Sequence, residues 1–332
     1  MIRIILCCIL CCSLSVLNAS GDDFKVKIRS RALLDATISG YETENVQGYY
    51  RLEDFRFGAK ATYGNFDLKV DMAYGSNKVT LKDLLLNYNL PNGILSIGNT
   101  YEPFSLDMLI STADLRFHQS AASVLAFTNS RKLGVTYHYY KPEWYAALGV
   151  YTHNDINKIG TEQQLNSGIV TSRVARRFLK NGNSEMIHLG AAFSFRSKEA
   201  NNENSKRTVA SNGVTSMFGN PMLNAELDRV TTEWKGALEF LYTNSSFLFQ
   251  GEYFLNRFNR QGRLEDFSFH GGYVQCSYLK KEKKGFSYDS KHAIVGRPIS
   301  EQAVEMVARL NFTDFSTYTA ESGGGRELDI SL

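Results

Sequence analysis

Beginning at Phe24 the chain reads FKVKIRSRALL, with Lys25, Lys27, Arg29 and Arg31 on one parity and Val26, Ile28, Ala32 and Leu34 on most of the other. Successive side chains of a strand point to opposite sides, so a period of two describes an extended segment with unlike faces. The alternation returns at Phe55-Phe57-Ala59-Ala61-Tyr63 against Arg56 and Lys60, and at Phe66-Leu68-Val70-Met72-Tyr74 against Asp67, Lys69 and Asp71. Gly64-Asn65 between those two segments is a tight hairpin turn. Further strands are expected over 79–90, 94–101, 132–140, 144–151, 168–178, 186–196, 229–242, 247–255, 267–280 and 303–315, with a stub from 327. In the clearest of these, Ile187, Leu189, Ala191, Phe193 and Phe195 oppose His188, Gly190, Ala192, Ser194 and Arg196.

The connections alternate in length. Those at 64, 91, 141, 180 and 243 are a few residues long, whereas 41–50, 102–131, 152–167 and 197–227 are long and polar. Short turns at one rim, long loops at the other and strands of about ten residues are the signature of an antiparallel transmembrane β-barrel. Tyr63, Tyr74, Tyr88, Tyr151 and Tyr242 fall toward strand ends, where interfacial aromatic girdles belong. A closed barrel is required because lipid cannot satisfy an open sheet edge. A secreted β-sandwich also alternates, but its core does not accommodate arginines at regular inward positions. The fold class expected is therefore all-β.

The first twenty residues, MIRIILCCILCCSLSVLNAS, place Arg3 before an apolar run from Ile4 to about Leu17 and end in small residues, the pattern of a secretory signal peptide. Four of the five cysteines lie in that run, so only Cys276 remains afterwards and no intramolecular disulfide forms. The division expected is 1–20 as signal peptide and 21–332 as one β-barrel domain. No later segment offers about eighteen uninterrupted apolar residues, and the mean hydropathy of −0.27 argues against a bundle of membrane helices. With 37 Lys and Arg against 34 Asp and Glu, the net charge of +3 gives no footprint for nucleic acid.

If the apolar parity faces lipid, the opposite parity faces a lumen. Lys25, Lys27, Arg29, Arg31, Arg56, Lys60 and Lys69 then line one sector, joined by Arg176, Arg196, Arg229 and Lys235 from later strands. Basic rings favour anions, and the planar fork of Arg suits phosphate oxygens. Asp54, Asp67, Asp71, Glu233 and Glu239 share the same parity, so the set reads either as an anion-selective lining or as a solvated ion-paired wall. Enzyme signatures such as G-x-S-x-G, H-E-x-x-H or a phosphate-cradling glycine loop are absent from the sequence, and no cofactor or metal cluster is called for. His138, within Tyr137-His138-Tyr139, reads as a wall residue, as does Cys276.

The segment LSIGNTYEPFSLDMLISTADLRFHQSAASVLAFTNSRKLGV, residues 95–135, resembles the phosphate-selective porins O and P of Gram-negative outer membranes. A strand ending in IGN, EPFSL opening a long helical-looking loop, and Arg-Lys-Leu-Gly-Val starting the next strand carry the resemblance. It continues in GGYVQCSYL at 271–279, then VEMVARLNFTDFS and GGRELDISL. The resemblance implies a homotrimeric channel of sixteen strands per subunit, inserted by the barrel-assembly machinery, that passes inorganic phosphate or similar small anions across the outer membrane. Its third and fifth loops and one periplasmic turn fold into the lumen; by position these are 102–131, 197–227 and 281–302. Glu102, Pro103 and Phe104 then belong to the constriction, with Lys283, Lys284 and Arg297 from the turn. Arg31, Arg116, Arg131, Arg196 and Arg229 become anion-binding candidates beside Lys27, Arg29, Arg56, Lys60 and Lys235.

Three departures from the family pattern bear on these expectations. Tyr101 stands where a basic or amide residue is common, and Gln302-Ala303-Val304-Glu305 replaces a usual Gly-Ala-Trp-Glu. The sequence also stops at Ile330-Ser331-Leu332 as a strand begins, so a barrel lacking its last one or two strands is expected. A general-solute or oligosaccharide porin, a plugged structural or adhesive barrel, and a barrel enzyme remain as other readings.

Overall fold

A computed structural model of the chain describes residues 4–20, 24–41, 44–75, 78–158, 167–180, 185–198, 205–218, 220–262, 264–280, 284–300, 302–317 and 324–332. Its main body is one antiparallel sheet of fifteen strands, each beside its predecessor. In chain order these are β1 (Ile4–Ser20), β2 (Phe24–Tyr41), β3 (Glu44–Tyr63), β4 (Phe66–Gly75), β5 (Lys78–Leu90), β6 (Gly93–Thr100), β7 (Lys132–Tyr140), β8 (Trp144–Tyr151), β9 (Ile169–Lys180) and β10 (Glu185–Ser197). After a small hairpin, β11 (Arg207–Ser211) with β12 (Leu223–Leu227), the sheet resumes with β13 (Val230–Thr243), β14 (Phe247–Arg260) and β15 (Phe267–Lys280). A second hairpin, β16 (Phe286–Asp289) with β17 (Ile294–Pro298), precedes β18 (Val304–Asp314) and β19 (Arg326–Ser331).

The strands expected from alternation are all present, and those over 132–140, 144–151 and 267–280 have the expected bounds. The sheet is not closed: β1 and β19 are its two edges. Residues 4–20, read above as an export leader, stand as the strand beside β2. The two short hairpins carry no strong period-two signal and were not expected.

Sequence parity fixes the faces. Phe57, Leu68, Met72, Val174, Phe193, Phe240, Phe249 and Leu310 are exposed on one side, while Asp71, Thr171, Arg173, His188, Glu239, Glu252 and Asn311 are buried on the other. Charge inward and hydrocarbon outward inverts the pattern of a water-soluble protein, and lipid is the solvent that explains it. Trp144, Tyr63, Tyr74 and Tyr88 are exposed on the apolar side. Tyr151 is a correction: it points inward, 4% exposed, and its hydroxyl lies 2.5 Å from Thr136 Oγ1. Among the described residues no helix is long and apolar enough to cross a membrane.

Three inserts fill the charged side. The segment between β6 and β7, with helix α1 (Ala122–Phe127), touches Arg31 on β2, Asp83 on β5, Thr171 on β9, Glu252 on β14 and Asn311 on β18. One segment can reach strands that far apart in the order only if the sheet curls around it. Phe104, Val124 and Phe127 of this insert pack with Phe254, Phe258, Phe269 and Phe315 into an apolar cluster, in which Phe127 and Phe254 stack at 6.0 Å. The β11–β12 hairpin joins that cluster through Val209, Leu223 and Ala225. The β16–β17 hairpin packs through Phe286 and Val295 against Leu106, Leu241 and Leu248.

Candidate functional site

The first sector of the charged face is a basic lane on β2, β3 and β4. Register sets Lys27 opposite Lys60 and Lys60 opposite Lys69, while Arg31 stands opposite Arg56. Lys25, Lys27, Arg29 and Arg31 recur at every second residue of β2, so the lane runs about 20 Å at roughly 3.3 Å per residue. Like charges placed directly across a sheet destabilise it, by about 0.2–1 kcal/mol per pair. Folding alone therefore gives no reason for these rows.

Carboxylates thin the lane without neutralising it. Asp67 lies 3.1 Å from Lys60, Asp71 lies 3.7 Å from Arg29 and 3.1 Å from Lys69, and Asp83 lies 2.5 Å from Lys69. Among the described residues these three carboxylates serve Arg29, Lys60 and Lys69, and Asp83 is shared with Arg131. The Asp54 side chain lies outside the described residues. Arg29 is 61% and Lys60 44% exposed at the side chain, so the lane is wet. A monovalent anion 6 Å from one such cation gains about 0.7 kcal/mol at the dielectric constant of water and about 3 kcal/mol at an effective value of 20. Such sites hold an anion briefly and release it.

The second sector, from β9 round to β18, is packed. Arg173 is fully buried; its Nε and one terminal nitrogen hold Glu239 at 2.6 and 2.8 Å, and its terminal nitrogens donate to the His292 and Ala293 carbonyls at 2.7 and 2.8 Å. His188 reaches Glu239 at 3.3 Å on one side and the Tyr288 hydroxyl at 2.8 Å on the other. This network fixes the β16–β17 hairpin against the wall. At its tip His292 bonds Asp289 at 2.7 Å. Burial alone would raise the Asp289 carboxyl, but this bond and the imidazole charge hold it below the ordinary aspartate range.

Glu252 fastens the insert after β6. Its carboxylate accepts the Leu106 and Asp107 amides at 2.8 and 3.0 Å, the Ser105 hydroxyl at 3.0 Å and the Tyr273 hydroxyl at 2.9 Å. Glu102 accepts from Asn129 and Thr171, both at 2.6 Å. Pro103 and Phe104 are buried beside it. Asp107 is buried too, which pushes its carboxyl above the ordinary range.

The remaining sequence candidates divide between the sectors. Arg131 lies over the Tyr101 ring, donates to its hydroxyl at 2.8 Å and pairs with Asp83, at the margin of the lane. Arg116 is spent on Glu305 at 2.7 Å and the Gly296 carbonyl at 2.7 Å, and Arg297 on Asp114 and the Ala113 carbonyl. Lys235 pairs with Glu233 at 3.2 Å and Asn129 at 2.8 Å, and Arg196 with His153 at 3.0 Å. Arg116 and Lys235 tie the insert after β6 to the wall, Arg297 ties the β16–β17 hairpin to that insert and Arg196 holds the loop after β8, so an arriving anion does not meet these four free.

Arg229 and Arg176 are corrections. A register shift between Val230 and Thr232 breaks the parity at the start of β13, so Arg229 sits exposed at the rim with φ of +57°. Arg176 shares the parity of Val170, Val174 and Phe178; it faces outward, 4.9 Å from the rings of Trp144 and Phe178. Lys284 is exposed at the base of the β16–β17 hairpin, and Lys283 lies outside the described residues. Sequence reasoning missed Arg173, Arg177, Glu252 and Arg309. The first two were legible, because they share the parity of Thr171 and oppose Val170 and Val174.

The fold is similar to that of OmpT, an outer membrane protein of Vibrio cholerae. The in-vitro folded form is 13% identical with a TM-score of 0.56 over 94% of this chain and 81% of that one. Its loop L8 deletion mutant is 13% identical with a TM-score of 0.56 over 93% and 86%. A trimer form gives 13% and 0.52 over 88% and 83%. No curated protein sequence matches the chain. The family model for phosphate-selective porin O and P matches residues 24–317, which takes in the basic lane, all three inserts and every strand from β2 to β18. The chain belongs to the phosphate-selective porin O and P family and is an outer-membrane porin.

Proposed function

We propose that the protein is an anion-selective diffusion channel for phosphate and similar small anions. The observation that carries this reading is the register of Lys27, Lys60 and Lys69 across three strands, next to Arg29 and the Arg31–Arg56 pair. Anions gather at the lane and step between sites too weak to trap them, as conduction requires. The chain is a channel and no enzyme in this reading: His138 meets the Tyr145 hydroxyl at 3.0 Å and has no part in transport. The sheet closes into a cylinder in the bilayer, residues 1–20 act as the export leader, the barrel-assembly machinery inserts the chain, and three copies associate as in the trimer form of the OmpT neighbour.

Planar-bilayer recording across a KCl gradient tests this. The wild type gives an anion-selective reversal potential, and added phosphate lowers the chloride current. Lys27→Gln, Lys60→Gln and Lys69→Gln together bring the selectivity toward neutral. Cation preference in the wild type, or chloride current indifferent to phosphate, overturns the reading. A plugged structural barrel is the second reading, favoured by the dry aromatic packing of Phe104, Phe127 and Phe254 inside the sheet. It is the reading that stands if folded protein inserts and carries no current.

A further inference from the structure

Under the β11–β12 hairpin, on the inward face of β18 and β19, oxygen atoms collect with few well-formed hydrogen bonds. Glu327 is 8% exposed, and neither its carboxylate oxygens nor Asp329 Oδ1, Ser211 Oγ and Thr313 Oγ1 make a hydrogen bond of full geometry, although Ser211 and Asp329 both approach Glu327. Ser211 is 0% and Thr313 1% exposed. The register sets Thr313 opposite Glu327 and Asn311 opposite Asp329, and two carboxylates two residues apart on one strand share a face. From the hairpin side Ser211 reaches Glu327, and Gly213 lies so near that a Cβ there would stand 3.2 Å from Glu327 Oε1.

Among the described residues neither carboxylate forms a salt bridge with Lys or Arg. Asp329 Oδ2 accepts the Asn311 amide at 2.7 Å, which leaves Oδ1 free to turn toward Glu327. Arg309, on the neighbouring strand, lies within electrostatic reach of Asp329 but makes no salt bridge with it; it donates to the Gln119 carbonyl at 3.0 Å and lies 4.3 Å over the Phe117 ring. A carboxylate taken out of water costs several kcal/mol unless a counter-charge or hydrogen bonds replace its hydration. Two carboxylates side by side, completed by hydroxyls, are the hard oxygen donors that Ca²⁺ takes in flexible, irregular sites. No group of three or more His, Cys, Asp or Glu side chains is arranged for a metal among the described residues, so this is a site of two carboxylates filled out by neutral oxygens.

We propose that Glu327, Asp329 and Ser211 bind a divalent cation, with Ca²⁺ the ion that fits, and that the ion pins the β11–β12 hairpin to β19. With only two charged ligands it is of the weak class, with a Kd of about 0.1–1 mM.

The test uses the full chain in detergent micelles, stripped with a chelator and titrated with CaCl₂ by calorimetry, with protease cutting of the hairpin followed in parallel. Wild type is expected to take up one Ca²⁺ and to be cut several-fold more slowly once loaded. Glu327→Gln weakens uptake at least tenfold, Ser211→Ala weakens it a few-fold, and Asp314→Asn, on the opposite face of β18, leaves it unchanged. Absence of saturable uptake by wild type up to about 10 mM, ten times the weak limit of this class, shows a proton-sharing carboxyl pair and overturns the proposal. Wild-type affinity in Glu327→Gln overturns it too. If that variant does not fold, unchanged affinity in Ser211→Ala decides against the site.

Discussion

Glu252 is the side chain on which the position of the insert after β6 most depends, and its removal has a calculable consequence. The carboxylate is 4% exposed and accepts four hydrogen bonds, two of them from the backbone amides of Leu106 and Asp107. In Glu252→Ala both amides lose their acceptor, and each buried unsatisfied donor costs about 1–3 kcal/mol. The two together weaken docking by roughly 2–6 kcal/mol, before the Ser105 and Tyr273 hydroxyls are counted. The sheet does not depend on this contact, and Glu102, Ser123 and Arg116 still hold other parts of the insert. The expected result is a folded barrel in which residues 104–108 leave the wall. In Glu252→Gln one oxygen remains, but the new amide nitrogen faces a donor, so an effect of about 1–3 kcal/mol is expected. Single-channel recording reads the outcome as larger, noisier conductance in Ala than in Gln, and in Gln than in wild type. Heat-dependent electrophoretic mobility confirms that each variant is folded. A folded Glu252→Ala channel whose conductance and noise match wild type would refute the reasoning.

Arg173→Met leaves Glu239 buried with His188 alone beside it, a loss of about 3–5 kcal/mol, and frees the His292 and Ala293 carbonyls; limited proteolysis should cut the β16–β17 hairpin in the variant and spare it in wild type. Phe254→Ala removes a fully buried ring from the cluster under Phe104 and Phe127 and should cost about 3–5 kcal/mol, seen as a lower thermal midpoint for the packed sector. Because the Asp289 carboxyl is held below its ordinary value, its contribution is fully present above about pH 3.9 and is lost as pH falls through the lowered folded value. Pepsin cleavage of the hairpin should therefore rise only below about pH 4, and Asp289→Asn should abolish that step while cutting equally above and below it.

The sheet was legible because lipid and water impose opposite demands on its two faces. Phe193 and Phe240 against Ser194 and Glu239 state the result at the level of sequence, and register then follows from short turns such as Gly64-Asn65. The packed inserts were less legible. Phe254 and Phe258 share the inward parity of Glu252 and Asn256, so alternation gives their direction correctly, but nothing local says that Phe104 and Phe127 arrive to cover them. Arg229 shows the other limit. A single register shift near Val230 flips the parity, and such a shift leaves no mark in hydrophobic periodicity.

The distinction that matters for conduction lies one level above direction. Arg173, Lys235 and Arg29 point inward from the wall and Arg116 meets the wall from the insert after β6, yet their side chains are 0%, 6%, 61% and 4% exposed. Arg173, Lys235 and Arg116 lie where insert and wall meet, and each is matched to a carboxylate or carbonyl because a buried cation must be. Arg29, Lys27 and Lys60 stand where no insert reaches, so water screens the repulsion along their rows and the strands tolerate it. The inserts thus decide which bases hold structure and which stay open to passing ions: they cover β9 to β18 and meet β2 and β3 at Arg31, Asp35 and Arg51, away from Lys27, Arg29 and Lys60. A mutation that moved the insert after β6 across to the lane would be expected to demand acids opposite Lys27 and Lys60, since the same rows that water now tolerates would become unpaired buried charge.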